Sequence, residues 1–324
     1  MAADAAKSTT STVSQAIKNR YYDKLFLRIA ESKFVHKQLG QINRKIEQGE
    51  GGYGSGAVYW TRWTNLPLVS AGQGEGVPTT AVSMTATNVT GTVAQYDAAV
   101  SISDLLAYTS FGDVMKAAME RLAYNAGLSI DTVVRNIIAT AGTLQSATGV
   151  AGAAWTSIPV TGTLTIGEVK KSVRTLRRGD AMEQTDGLFV AAIHPDALYD
   201  LMTDSSTGGW IDANKYTEGN ADKLMKGEVG KLHGVRFLES SNAYVRGAGV
   251  TASASIYVTN VFARDAFGVT DLQNLKTYVK GFESGGTADP TEKVATAGWK
   301  TTFGAAPLNS AFQVSISHTV SSTA

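Results

Sequence analysis

Gly49, Gly51 and Gly54 stand in the G-x-G-x-x-G spacing that, between a strand and a helix, cradles the pyrophosphate of a dinucleotide. Neither flank suits that chemistry. The charged stretch NRKIEQ precedes the glycines, and AVYWTRW, rich in aromatic and β-branched residues, follows as a strand rather than a helix. Glycine fills five of the eight positions from 49 to 56, so the spacing arises by composition and no cofactor is expected. The histidines, His36, His194, His233 and His318, lie far apart with no H-x-x-x-H pair and no acidic cluster at ligand spacing; turn or packing roles are expected, and no metal. No G-x-S-x-G elbow occurs. GEVGKL at 227–232 has two residues between its glycines where a phosphate loop needs four, and Leu232 where Ser or Thr is required. The residues therefore point to no catalytic set.

The elements that would have positioned such a set are more informative. Val13, Ile17, Tyr21, Leu25, Ile29, Val35 and Leu39 predict an N-terminal amphipathic helix stopping at Gly40. From Gly49 to Asp97 the period is lost, and Thr- and Val-rich runs between glycines predict a long extended hairpin, marginal without something to pack on. A capping box at Ser110 and Asp113 predicts a helix to Gly142, about 45 Å long, in which Gly112 and Gly127 are the weak points. A second box, Thr165 to Glu168, predicts a short helix capped by Gly179. Its Lys170, Lys171, Arg174, Arg177 and Arg178 point outward, as a solvated or ion-pairing face. The RGD tripeptide at 178–180 falls at this helix end, where its glycine is a cap. Beyond lie strand-like pieces (LFVAAI, GVRFLES, SIYVTN, LKTYVK, FQVSIS), a helix after His194-Pro195 and a polar loop from Thr203 to Lys226. The class is α+β, without internal repeats.

Composition narrows the function further. A net charge of +1 argues against a dedicated nucleic-acid binder, and no cysteine means no disulfide or thiolate site. The N-terminus lacks a signal-peptide core, and the uncharged run Asn136 to Gly167 is too rich in Gly, Ser and Thr for a membrane span. Charged residues, at 18%, are sparse, which is the signature of surface covered by partners. A rod, an unsupported hairpin and an arm are parts for assembly.

GEGVPT (74–79), VTGTVAQYDAAVSISDL (89–105), AGLSID (126–131), AAIHPD (191–196), GKLHGVRFLESSNA (230–243), RDAFGV (264–269) and DPTEKVATAGWKTTFGAAPLNSAF (289–312) carry a resemblance in their order and spacing. Over nearly its whole length the chain resembles tailed-bacteriophage major capsid proteins with the Hong Kong 97 (HK-97) fold, specifically the coliphage N-four-like branch. The resemblance implies an N-terminal arm (1–45), an extended loop hairpin (46–96), a peripheral domain with the long spine helix (97–145 and 286–324) and an axial domain (146–285). It implies hexamers and pentamers closing an icosahedral shell around double-stranded DNA held without sequence-specific contact, in a virion assembled in the bacterial cytoplasm. Implied partners are further copies of the chain, a separate scaffolding protein, a portal and a decoration protein. The arm begins almost at once, so the attached scaffolding segment of some relatives is not expected. No lysine lies between Lys45 and Lys116, so the loop-lysine cross-link of some relatives is not expected. Trp60, Arg62 and Trp63 are the expected assembly contacts. Gly127 is the expected hinge in the spine, and Gly51 and Gly52 the expected pivot of the loop. An encapsulin-like compartment shell is the alternative within the fold, and a dinucleotide-binding enzyme the alternative outside it.

Overall fold

The computed structural model describes residues 24–30, 33–42, 57–147 apart from 71, 73, 77 and 80, 158–204 apart from 160 and 185, 230–248, 255–282 and 290–321. Residues 24–30 form α1. There follow β1 (Gln41–Ile42), β2 (Ala57–Trp63), β3 (Ala86–Ser103), α2 (Asp104–Thr109), α3 (Val114–Ile138), β4 (Thr143–Ser146), α4 (Ile166–Arg178), β5 (Phe189–Ile193) and α5 (Pro195–Thr203). β6 (Lys231–Leu232), β7 (Val235–Glu239), β8 (Val245–Ala248), β9 (Ser255–Phe262), β10 (Phe267–Lys280), β11 (Val294–Pro307) and β12 (Gln313–His318) complete the order. The fold is α+β.

Two sheets organise these elements. One runs β1-β10-β11-β3-β2; the other runs β4-β12-β9-β5-β7-β6, with β8 also on β9. β3 spans 18 residues, about 60 Å of extended chain. Its second half, from Val93 to Ser103, pairs with β11, and its first half, from Ala86 to Thr92, pairs with β2. The β2–β3 hairpin is thus an outgrowth of one strand of the sheet, and β3 passes residue 96 without a break.

The spine helix α3 lies across the inner face of the first sheet. Its first half packs Met119, Leu122, Ala123 and Ala126 on Ala297 and Trp299 of β11 and on Phe26 and Ala30 of α1. Its second half packs Ile130, Val134 and Ile138 against Phe262, Phe267 and Phe303, where the two sheets meet. α4 and α5 close a third core on β5, β7, β9 and β12.

Several local expectations are corrected. The arm is not one helix to Gly40: α1 is followed by a bend and a short 3-10 turn, Lys37–Leu39, because Asp131 of the spine draws the N–H groups of residues 35–37 toward itself. Val13, Ile17 and Tyr21 lie outside the described residues. Asp113, not Ser110, caps the spine, accepting from Lys116 N at 3.0 Å. α3 has 25 residues, about 37 Å, and Gly112 precedes it. Ser103 caps the intervening helix α2. Thr165 makes no side-chain cap on α4; Asp204 Oδ2 takes the Ile166 N–H at 3.1 Å, and Glu168 turns to Gln145 and Lys171. At the other end Gly179 is the C-cap, while Asp180 takes the left-handed backbone at φ +53°. The loop expected from Thr203 to Lys226 falls mostly outside the described residues.

Candidate assembly surfaces

The hairpin is seated by one side chain. Within the AVYWTRW strand Val58 and Trp60 turn inward, packing with Ala306, Val89, Val93 and Leu308. A Cβ on Gly91 or on Gly268 would lie 2.6 Å from the Trp60 ring, so those two glycines let the indole lie flat between the hairpin and β10. The indole N–H is buried and has no partner among the described residues. Of the three residues expected at contacts, Trp60 is therefore interior, whereas Arg62 and Trp63, two and three residues on, are exposed. A cleft of about 330 Å³ beside Trp60 is lined by Gln41, Arg62, Asp265 and Asn309 and holds no histidine. Gly51 and Gly52, the expected pivot, lie outside the described residues.

Past Trp63 the described residues carry no regular structure until Ala86, and their apolar side chains are exposed. Leu68 is 90% exposed and Val69 79%, with Leu66, Val82 and Met84 each more than half exposed. A second group sits on α2 and the turn after it: Leu105, Leu106, Tyr108 at 84% and Phe111 fully in solvent. Exposed apolar side chains gathered in this way mark interaction surface.

The arm is attached by the opposite chemistry. Asp131, wholly buried on α3, accepts the N–H groups of Val35 (3.0 Å), His36 (2.7 Å) and Lys37 (3.3 Å) through Oδ1. Its Oδ2 takes the His36 ring at Nδ1 (2.8 Å) and the Asn242 amide (3.2 Å). Arg135, one turn on, donates to Asn242 O and Oδ1 and lies over the Tyr244 ring at 5.5 Å. One carboxylate thus joins arm, spine and the turn before β8. Burial is the largest influence on Asp131 and pushes its pKa up, but the His36 hydrogen bond and charge, the Lys37 N–H and the Asn242 amide together hold it below the usual carboxylate value. A signal for this junction was present in the chain: Asp131 falls in the buried stripe Gly127, Ile130, Val134, Ile138, and a carboxylate there requires partners.

Gly127 lies one turn before Asp131, where α1 crosses the spine. A Cβ there would stand 2.6 Å from Ala30 O and 2.9 Å from Lys33 Cβ. The absent side chain is what permits this crossing distance.

The remaining histidines do structural work. His194 caps α5, accepting from Asp196 N, and His233 sits in the β6–β7 turn at φ +49°. His318 is fully buried between Thr259 and the Thr319 carbonyl, and burial pulls its pKa down to about 4. Nδ1 donates to that carbonyl, leaving Nε2 to accept the Thr259 hydroxyl. Among the described residues no cluster of three His, Asp or Glu is placed to hold a metal, and no helix is long and apolar enough to cross a membrane.

Known proteins share this architecture. The capsid of cyanophage Pam1 superposes with a TM-score of 0.66 at 15% identity, over 88% of this chain and 89% of that one. The capsid of Ralstonia phage GP4 gives 0.67 at 13%, over 91% of each chain. Mycobacterium phage Che8 gives 0.58 at 17%, over 87% of this chain and 90% of the other. At such identities the likeness is one of fold, the Hong Kong 97 type. No curated protein matches the chain. The profile of the phage capsid protein family, however, matches residues 123–289, from the middle of α3 to the approach to β11 and more than half of the 324 residues. The chain belongs to the phage capsid protein family and is a structural protein of that class.

Proposed function

We propose that this chain is the major capsid protein of a tailed phage of the coliphage N-four-like branch, its copies forming hexamers and pentamers of an icosahedral head around double-stranded DNA. The observation that carries the reading is the β2–β3 hairpin, which projects from the sheet and ends in apolar side chains that stand exposed among the described residues. Heterologous docking of such an element on a neighbour closes into rings, as capsomers require. The family match and the capsid folds of its structural relatives support the same assignment.

In this reading the divisions are an arm (1–45), a loop (46–96), a peripheral unit (97–145 and 286–324) and an axial unit (146–285). Arg62 and Trp63 contact the neighbour, and Trp60 holds the base of the loop beneath them. Gly127 serves as a hinge when the shell expands, and Gly51 and Gly52 as the loop's pivot. A scaffolding protein guides assembly in the host cytoplasm, a portal occupies one vertex, and a decoration protein locks the finished shell in place of a covalent cross-link.

Electron microscopy of the chain expressed with and without its neighbouring phage genes tests this. Shells or capsomers are the expected result, and a monomer under every condition overturns it. DNA in purified particles separates the phage head from a compartment shell loaded with an enzyme.

A further inference from the structure

α4 carries five cations within nine residues, outside the stripe that Ile166, Val169, Val173 and Leu176 bury. The structure divides them into two sets. Lys171 reaches Glu168 at 2.7 Å and Arg177 reaches Glu183 at 3.0 Å. Lys170, Arg174 and Arg178 are exposed and, among the described residues, pair with no carboxylate. The nearby acidic groups are engaged elsewhere or lie off the row: Asp186 holds Arg236, and Asp180 stands past the helix end in the left-handed turn.

The three unpaired cations are four residues apart, which sets them in one row with steps of about 6 Å along the axis. Like charges at that spacing weaken a helix; the helix dipole favours Arg178 in the last turn, and the remaining repulsion is a cost that no carboxylate among the described residues offsets. A polyanion would offset it. The kind of polyanion follows from what the row lacks: no large apolar side chain is exposed between Leu144 and Met182 among the described residues. A protein partner would find no apolar side chain to bury within the row itself, the first exposed one beyond it being Met182, whereas a phosphate backbone asks only for cations at intervals.

We propose that Lys170, Arg174 and Arg178 form a sequence-independent contact for the phosphate backbone of duplex DNA, and that this face of α4 lines the inner wall of the shell. The proposal rests on the reading of the chain as a DNA-filled phage head. With about three phosphates neutralised per copy, each contact is weak and salt-sensitive, and many copies restrain the DNA without trapping it.

The test measures anisotropy of a fluorescent duplex with the unassembled full-length chain over a salt series. Three contacts predict a slope of log K on log salt near −2.7, at about −0.9 per phosphate, independent of duplex sequence. Lys170→Ala/Arg174→Ala/Arg178→Ala should flatten it by about 2–3, and Arg174→Lys should leave it intact. A triple variant with the wild-type slope overturns the proposal, as does an equal effect from Lys171→Ala/Arg177→Ala. Polyglutamate displacing the duplex at equal charge concentration would assign the row to an acidic protein segment and overturn it too. Electron microscopy of the chain expressed with and without its neighbouring phage genes separates the two levels: shells or capsomers from wild-type chain with no duplex slope remove the DNA contact alone, and a monomer under every condition removes the reading beneath it.

Discussion

The arm and the hairpin are both extended attachments to the spine-and-sheet body, and they are finished in opposite ways. The arm is held by the buried Phe26 and Ala30 and then by buried polar groups, every N–H from Val35 to Lys37 finding Asp131 inside the chain. The hairpin tip is apolar and stands exposed among the described residues. The difference follows from the cost of waiting. A carboxylate buried without partners is heavily penalised, so its contacts must be complete in the monomer. An exposed leucine costs little in water and gains when a second surface arrives. The junction is complete within the monomer, and in the function proposed above the hairpin is completed by a neighbour.

The largest test of this contrast is Asp131→Ala. Removing one member of a buried pair costs about 3–5 kcal/mol and should free the arm. Denaturant unfolding reads the loss, and amide exchange at residues 35–37 should rise far more than in β2; equal protection in both would break the comparison.

Acid should reach the body before it reaches the hairpin. His318 has its pKa lowered by burial to about 4, so its neutral ring favours the fold. Its contribution is complete above the unfolded value of about 6.5 and is lost as pH falls toward 4, a change of about 3 kcal/mol. The depressed Asp131 adds a further loss only at still lower pH, below the ordinary carboxylate range. Urea midpoints between pH 7 and pH 4.5 should therefore fall, and a His318→Gln variant should show a flatter profile. A wild-type midpoint that stays level over that range would refute the assignment.

A smaller effect is expected from Gly127→Ala, whose methyl meets the Ala30 carbonyl. Overpacking there costs about 1–3 kcal/mol and should loosen α1 without touching the hairpin. Thermal unfolding of the monomer measures the packing cost, and expansion kinetics of shells measure the proposed hinge, so one variant separates the two roles of this glycine.

The smallest effect on the fold belongs to the exposed set. Trp63→Ala, Leu68→Ala and Phe111→Ala should each change monomer stability by no more than about 0.5 kcal/mol. They should nonetheless raise the concentration at which capsomers form, measured by light scattering. Unchanged assembly in all three would assign the neighbour contact to other residues and erase the contrast drawn above.

Much of the layout could be read from the chain. The spine and α4 lie where periodicity put them, and the helix after His194, the strand at AVYWTRW and the closing strand where residue type put them, because those signals depend on residues within a turn or two. The errors cluster at helix ends. Ser110 and Asp113 both satisfy the rule for a cap, and local sequence has no means to choose between them; Thr165 satisfies it too, yet the Ile166 N–H bonds Asp204, 38 residues away. The bend of the arm is beyond local sequence for the same reason, since it depends on a carboxylate about 95 residues distant.

Sequence alone therefore determined the inventory: an α+β chain without catalytic spacing, with a rod, a long hairpin, an arm and a cation-rich helix. Tertiary structure decided what each part meets. It turned Trp60 inward onto Gly91 and Gly268 while leaving Trp63 in solvent, made Asp131 the common partner of arm and axial turn, and paired two cations of α4 while leaving three. The physical reason is range. Hydrophobic period and turn chemistry act between near neighbours, whereas burial and ion pairing are settled only when distant segments compete for the same space and the same charge.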